Sequence, residues 1–459
     1  MKKKGNARPT KTTSFIQTST IVLIAFFSSF LSRALDTLGA PSTINFLHFA
    51  TVPIAVVVAL SSTKVKSSNQ RTSIELLLLS ILLFLGVILI SALINDAGII
   101  NMLLSFLLWT EPFGLLLAIL CLPTTGIIVN RLRTWITYAF FAHTLLAFFQ
   151  HYVLHYYRLS GAQDNIQGIF YRSGAGHVVG ASVALTFGLY YAFTAKTSPL
   201  WLRLGVVAAT FWHMILADAK QVLLSMFVGG ALLLLFKLND LSKALQYIAL
   251  GAIVCMFFCW GIENLSAFSA FKTWMRPEIY GADGEATLLK SATFRIVPQF
   301  YQSPLNWIFG LGPGHSVDRL GGWMIREYWN LLGPLGATTH QASIDVWLAV
   351  IESWLGDQSS MFSPLFGWAA LWGDFGFVGL ASYLFICFIT YTRICLSDIS
   401  KFMALTIFAV GWVFSQMQEP SYMMSMSMLI GLNWHEHISQ RQHKQQPTEY
   451  NLQKRLSGA

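Results

Sequence analysis

Charge is what this sequence has least of. Asp, Glu, Lys and Arg together make up 11% of its 459 residues, where soluble globular domains carry about 25%. Hydrophobic residues reach 54%. That imbalance excludes an ordinary soluble domain and places the chain among membrane proteins. Metal and nucleotide signatures are missing as well. There is no HExxH, no CxxC and no aspartate-rich metal motif, so neither a metal nor a cofactor is expected. The glycines at 310–314 do not have the offsets of a P-loop or a dinucleotide fingerprint. Cysteine is scarce too. Cys121, Cys255, Cys259, Cys387 and Cys395 all sit within apolar runs, which argues against a disulfide framework and reads as small packing residues. No internal repeat stands out.

Apolar runs of membrane length fill most of the chain. About 20 apolar residues cross a bilayer as a helix, and lipid leaves no room for open backbone between. Twelve candidate spans follow, at 16–35, 43–62, 74–94, 99–122, 135–155, 177–195, 200–217, 220–237, 245–262, 376–393, 402–418 and 421–435. The last two are separated only by Gln418-Glu419-Pro420. The first run follows a basic stretch and imitates a signal peptide, but the many later spans favour a retained helix. The expected fold is an all-α polytopic membrane domain over 1–459, with one long outward loop at 263–363 between spans nine and ten.

With a cytoplasmic N-terminus, two thirds of the chain's 30 lysines and arginines fall on the inner side. Six of the remaining ten belong to the long loop, and short outward loops are nearly free of positive charge. That asymmetry obeys the positive-inside rule. The net charge of +9 is therefore mainly an orientation signal, and nucleic acid is not an expected partner. Both termini should be cytoplasmic.

The long loop carries Lys272, Arg276, Lys290, Arg295, Arg319 and Arg326, with His315 and His340 among them. At its centre lies Phe-Gly-Leu-Gly-Pro-Gly-His, 309–315, whose glycines and proline cannot continue a helix. Helices are expected on either side, over 285–301 and 341–355. The second puts Ile344, Trp347, Leu348 and Ile351 on one face, suited to lie along a membrane surface. A smaller outward loop, 156–176, is rich in glycine and reads as tightly turned against the bundle.

Several side chains could carry chemistry. Arginine forks match pairs of phosphate oxygens, and turned glycine loops add backbone N–H groups to an anion. Arg172, Lys220, Arg295 and Arg319 are the candidate diphosphate ligands. Taken singly, each is equally a solvated or headgroup-contacting cation, and Lys220 has Asp218 as an alternative partner. His340 and His315 are the candidate general bases, because imidazole titrates near neutral pH. Asp318, Glu327, Asp345 and Glu352 remain open as other bases. His177 opens span six, where it is equally a helix-end contact. Glu111 sits deep in span four without an obvious partner, and Arg33 ends span one as an interfacial anchor.

This pattern resembles the superfamily of O-antigen ligases and O-antigen or exopolysaccharide polymerases. The likeness rests on about twelve spans, one late outward loop, and four short motifs. These are Gly-Ile-Phe-Tyr-Arg-Ser-Gly-Ala-Gly-His (168–177), Ala-Asp-Ala-Lys-Gln (217–221), Arg295 ahead of Phe-Gly-Leu-Gly-Pro-Gly, and Gly-Asp-Phe-Gly-Phe-Val-Gly-Leu (373–380). The resemblance implies a GT-C-like fold at the bacterial inner membrane. It also implies metal-independent, inverting transfer of a glycan from an undecaprenyl-diphosphate-linked oligosaccharide. Membrane lipid and a chain-length regulator are the implied partners. Ligases of this type carry a His-containing pair about ten residues before the late helix motif. Here those positions hold Leu365 and Phe366, which favours a polymerase over a ligase acting on lipid A-core. A twelve-span transporter is the expectation from another class, kept open by Glu111 and the Asp218/Lys220 pair.

Overall fold

A computed structural model describes residues 17–457, apart from 64–66, 124–125, 161, 172–174, 238–240, 266–267, 269–270, 273–275, 357–358 and 360. Every described regular element is helical. In chain order the main helices are α1 (Thr18–Phe30), α2 (His48–Ser62), α3 (Ser68–Ile94), α4 (Ile99–Leu120), α5 (Gly126–Tyr152), α6 (Gly176–Thr194), α7 (Leu200–Leu216), α8 (Lys220–Leu235) and α9 (Leu241–Asn264). The loop contributes α10 (Glu285–Ile296), α11 (Pro304–Phe309) and α12 (Gln341–Glu352). The chain finishes with α13 (Gly367–Ile389), α14 (Asp398–Val410) and α15 (Pro420–Ser457).

Five helical stretches are long and apolar enough to cross a membrane: Ser42–Ser62, Ser68–Ile94, Ile99–Leu120, Gly176–Thr194 and Gly367–Ile394. Helices α1, α7 and α8 are apolar but shorter. These lengths and compositions suit an all-α membrane protein.

The bundle is built around the first half of α15. From Tyr422 to His435 this helix is buried on every side, against α1, α4, α5, α6 and α14. Its methionines at 423, 424, 426 and 428 are all buried, and flexible thioethers fill irregular gaps well. Gly431 lets α4 come close, since a Cβ there would stand 2.7 Å from Ile119 Cγ2. The outer layer is different. In Ser42–Ser62 only 22% of the most apolar window is buried, against 78% in Ile99–Leu120. Ile54, Val57, Leu79, Leu82 and Leu93 point outward, as a lipid-facing surface requires.

The long loop is itself folded. Ile279, Ala286, Leu289, Val350, Leu355 and Phe362 form a small apolar core, and Leu320, Met324, Ile325 and Leu332 seat it on Leu104 and Leu108 of α4. Both expected loop helices are present, the first ending at Ile296 in a 3-10 turn over Val297–Phe300. Ser303 caps α11 through a capping box with Asn306, and Pro304 opens it, an arrangement that satisfies the first free amides. On α12 the buried face is Ala342, Ser343, Val346 and Val350. Ile344, Leu348 and Ile351 therefore face out, and Arg326 covers Trp347 at 4.8 Å. The described parts of the 156–176 loop form short 3-10 turns at Tyr156–Arg158, Ala162–Asn165 and Gly168–Phe170, with Gly168 at φ +58° against His143.

Two expectations need correction. Cys255 and Cys259 are exposed on α9 rather than packed. Glu111 does have a partner, because His48 Nδ1 lies 2.9 and 2.8 Å from its two oxygens. Sixty-three positions separate the two residues, so only the packing of α2 on α4 brings them together.

Candidate functional site

The loop's glycine segment and the start of α13 lock into one clamp. Leu311 N–H donates to the Gly373 carbonyl at 2.9 Å and Gly312 N–H to the Asp374 carbonyl at 3.0 Å. The Asp374 carboxylate accepts from Gly314 N–H at 2.9 Å and Ser316 N–H at 2.8 Å. The Ser91 hydroxyl reaches the carbonyls of Phe309 at 2.6 Å and Asp374 at 2.9 Å. Asn101 on α4 donates to the carbonyls of Pro313 and Thr338. Glycine is obligatory at two of these points. Gly310 and Gly376 have φ of +72° and +64°, and a Cβ on either would overlap the other strand's backbone. Two motifs some 60 residues apart thus form a single backbone knot, with a fully buried carboxylate tying it.

The knot dictates how the two histidines are used. His315 Nδ1 lies 2.9 Å from the Leu311 carbonyl, and Nε2 lies 2.8 Å from the Thr338 hydroxyl. A carbonyl only accepts, so Nδ1 carries the proton and Nε2 takes the hydroxyl's. Burial lowers the ring to about 4. His340 stacks on it at 5.3 Å and accepts the Ala342 N–H at 3.1 Å, capping α12. Burial lowers this ring as well. Burial favours the neutral form of both, and their lone pairs are engaged, that of His315 by the Thr338 hydroxyl and that of His340 by the Ala342 N–H. Sequence reasoning marked both as candidate general bases without their hydrogen-bond partners.

A small cavity of about 30 Å³, room for one water, lies between α2, α4 and the loop, with a lining that is mostly apolar. Arg33, Asn45, His48, Arg319 and Tyr328 line it. Arg319 forms an ion pair with Glu419, lies 5.2 Å over Trp323, and donates its backbone N–H to Gln418 Oε1 at 2.7 Å. Gln418 in turn donates to Asp318 at 3.0 Å, and Asp318 accepts Gly321 N–H at 2.6 Å. Burial raises the Asp318 carboxyl above its ordinary value. Arg33 lies 4.0 Å from Asp36. Arg33 and Arg319, from distant parts of the chain, therefore line one cavity, with His48, the partner of Glu111, at its wall.

The other expected cations lie elsewhere. Lys220, at the head of α8, is buried and paired with Asp218 at 2.6 Å. Arg295 is exposed and folds back on α10, donating to Ser291 Oγ at 3.1 Å and the Leu288 carbonyl at 2.7 Å. The packing of α8 on α14 and of α10 on α12 and α13 keeps these two apart from the cavity. Arg172 lies outside the described residues. His177 faces Asp164 at 3.6 Å. Among the described residues no three His, Cys, Asp or Glu side chains cluster as metal ligands would.

Three contributors escaped sequence reasoning. Arg33 read as an interfacial anchor, His48 carried no signal at all, and Asp374 was passed over within a glycine motif. A lone acid in an otherwise apolar run was the one available clue to Asp374. No family model matches the chain, and no curated protein is similar to it.

Proposed function

We propose that this chain is a polytopic inner-membrane glycosyltransferase that polymerises polyprenyl-diphosphate-linked oligosaccharide repeat units at the outer face. The observation that carries the reading is the meeting of Arg33 and Arg319 at one cavity beside the glycine knot. At about 30 Å³ the cavity holds one water, so a diphosphate enters only once Arg319 has left Glu419 and the cavity has widened; two arginine forks then suit it, and neutralising it as it departs stabilises the transition state. The glycine motifs that frame the knot are also those that carry the family resemblance, and Leu365 and Phe366 favour the polymerase over the ligase. With this reading go a GT-C-like arrangement of twelve crossings, cytoplasmic termini and a chain-length regulator as partner.

In the reaction the acceptor sugar's hydroxyl oxygen forms a bond to the anomeric carbon of the donor. The bond from that carbon to the diphosphate oxygen breaks, and the diphosphate leaves with the electron pair. One displacement inverts the configuration. The hydroxyl proton passes to His340 once the ring gives up its bond to Ala342 N–H, a helix cap worth about 1 kcal/mol. Arg319 exchanges Glu419 for the diphosphate as substrate enters.

Purified protein in liposomes, supplied with a lipid-linked oligosaccharide, tests the reading: a ladder of longer lipid-linked products is expected. The buried His48–Glu111 pair favours a second reading, a proton-coupled transporter, since paired ionisable groups at membrane depth mark ion pathways. Flux of the oligosaccharide without lengthening would establish that reading in place of the first.

A further inference from the structure

Three basic side chains line the small cavity, Arg33, His48 and Arg319, and each already has a carboxylate. Arg319 is paired with Glu419, Arg33 lies 4.0 Å from Asp36, and His48 lies 2.8 Å from Glu111. The last pair is the most enclosed, with His48 5% and Glu111 2% exposed. A buried pair of ionisable groups adds little net stability, so its place at this wall needs another account.

Both Glu111 oxygens approach the same ring nitrogen, Nδ1, at 2.9 and 2.8 Å. That geometry suits an N–H donating to a carboxylate, which only accepts. Phe49 meets the ring edge-on at 4.2 Å. With Nδ1 taken by Glu111, Nε2 on the far side of the ring is the nitrogen left to meet what enters the cavity.

Charge then decides what binding requires. A diphosphate is at least a dianion, and it enters a corner where every cation is already matched. Unmatched buried charge is expensive, so a proton from solution has to accompany the anion. Imidazole is the side chain that changes charge near neutral pH, and Glu111 is placed to balance the imidazolium. The groups facing His48 are Glu111 from α4, Arg33 and Asp36 from the turn after α1, Arg319 and Tyr328 from the loop, and Glu419 ahead of α15. Of these, Asp36 and Glu419 are the competing proton acceptors once their arginines turn to the anion.

We infer that anion binding at this cavity is proton-coupled. His48 takes a proton on Nε2 as the diphosphate enters, Glu111 holds the imidazolium through Nδ1–H, and Nε2–H becomes a third donor beside the two guanidinium groups. The identity of the anion rests on the proposed function; the proton count does not require turnover.

Inorganic pyrophosphate titrated calorimetrically into the full chain in detergent, in buffers of different ionisation enthalpy, counts the protons taken up. Comparing variants cancels those carried by pyrophosphate itself. Near neutral pH, His48→Gln should lower the uptake by about half a proton or more and weaken binding about tenfold. Wild-type affinity should fall more steeply with rising pH than that of His48→Gln. Glu111→Gln keeps an acceptor for Nδ1–H without the balancing charge, and should also lower the count; it decides the matter should His48→Gln not fold. Asp36→Asn and Glu419→Gln should leave the count unchanged. A short-chain phosphatidylglycerol, a monoanion, should not compete. Absence of pyrophosphate binding, a count indifferent to both His48→Gln and Glu111→Gln, a count lost in Asp36→Asn or Glu419→Gln, or equal competition by phosphatidylglycerol would each overturn the inference. Oligosaccharide lengthening without the proton count would remove the coupling and leave the polymerase; the count without lengthening would do the reverse.

Discussion

Arg319 and Lys220 began as similar prospects, each a candidate diphosphate ligand, one in the long loop and one at the end of an apolar helix. In three dimensions they differ. Lys220 is satisfied two residues away, by Asp218 in its own hairpin. Arg319 is paired across a hundred positions, with Glu419, and lines a small cavity that Arg33 also lines. A charge neutralised locally stabilises the turn that carries it. A charge whose partner arrives from another helix ties together parts of the chain that are distant in sequence.

That contrast can be broken experimentally. The largest effect should come from the knot that holds the cavity's wall. Asp374→Ala strips two backbone amides of a buried acceptor and should cost about 3 kcal/mol or more, measured as thermal unfolding in detergent. An unchanged midpoint would mean that the knot does not support the site. Next, Arg319→Ala should reduce polymer formation at least a hundredfold, about 2.7 kcal/mol, in liposomes where the protein level is normal. Lys220→Ala should change it less than tenfold, and the reverse ranking would exchange the roles of the two corners. Third, Gly310→Ala places a side chain at positive φ against backbone and should destabilise by about 1–2 kcal/mol, read in the same melts.

Smaller still is a pH effect from His315. Its folded value is about 4 against an ordinary 6.5, so between those limits the unfolded chain binds more protons. Stability should fall as pH drops from 6.5 to about 4, and His315→Gln should flatten that slope. The least effect should come from the corner itself. A double-mutant cycle of Lys220→Met with Asp218→Asn should show a coupling near 1 kcal/mol.

Local features were legible where physics is local. Apolar runs predicted the long helices α3, α4 and α6, the 3.6-residue spacing predicted α12, and Gly310, Gly312 and Gly314 predicted a break. Two separate helices were expected at 402–418 and 421–435; they form at Asp398–Val410 and from Pro420 onward, and the first stops eight residues before the expected separator. The site was legible only in fragments. Arg319 was marked, but its companion Arg33 looked like a membrane anchor. Arg295 was marked for its place before a motif, and its side chain simply folds back on its own helix. Asp374 was hidden because a backbone acceptor role depends on which amides arrive, and those come from another motif.

Composition and hydrophobic run length alone determined that this is a helical chain suited to a bilayer, because burying or solvating each residue type has a cost that depends on that residue and its near neighbours. Tertiary structure decided which charges are spent and which are available. Pairing energies depend on distance across helices, as for His48 with Glu111 and Arg319 with Glu419, and those distances exist only once the bundle has packed.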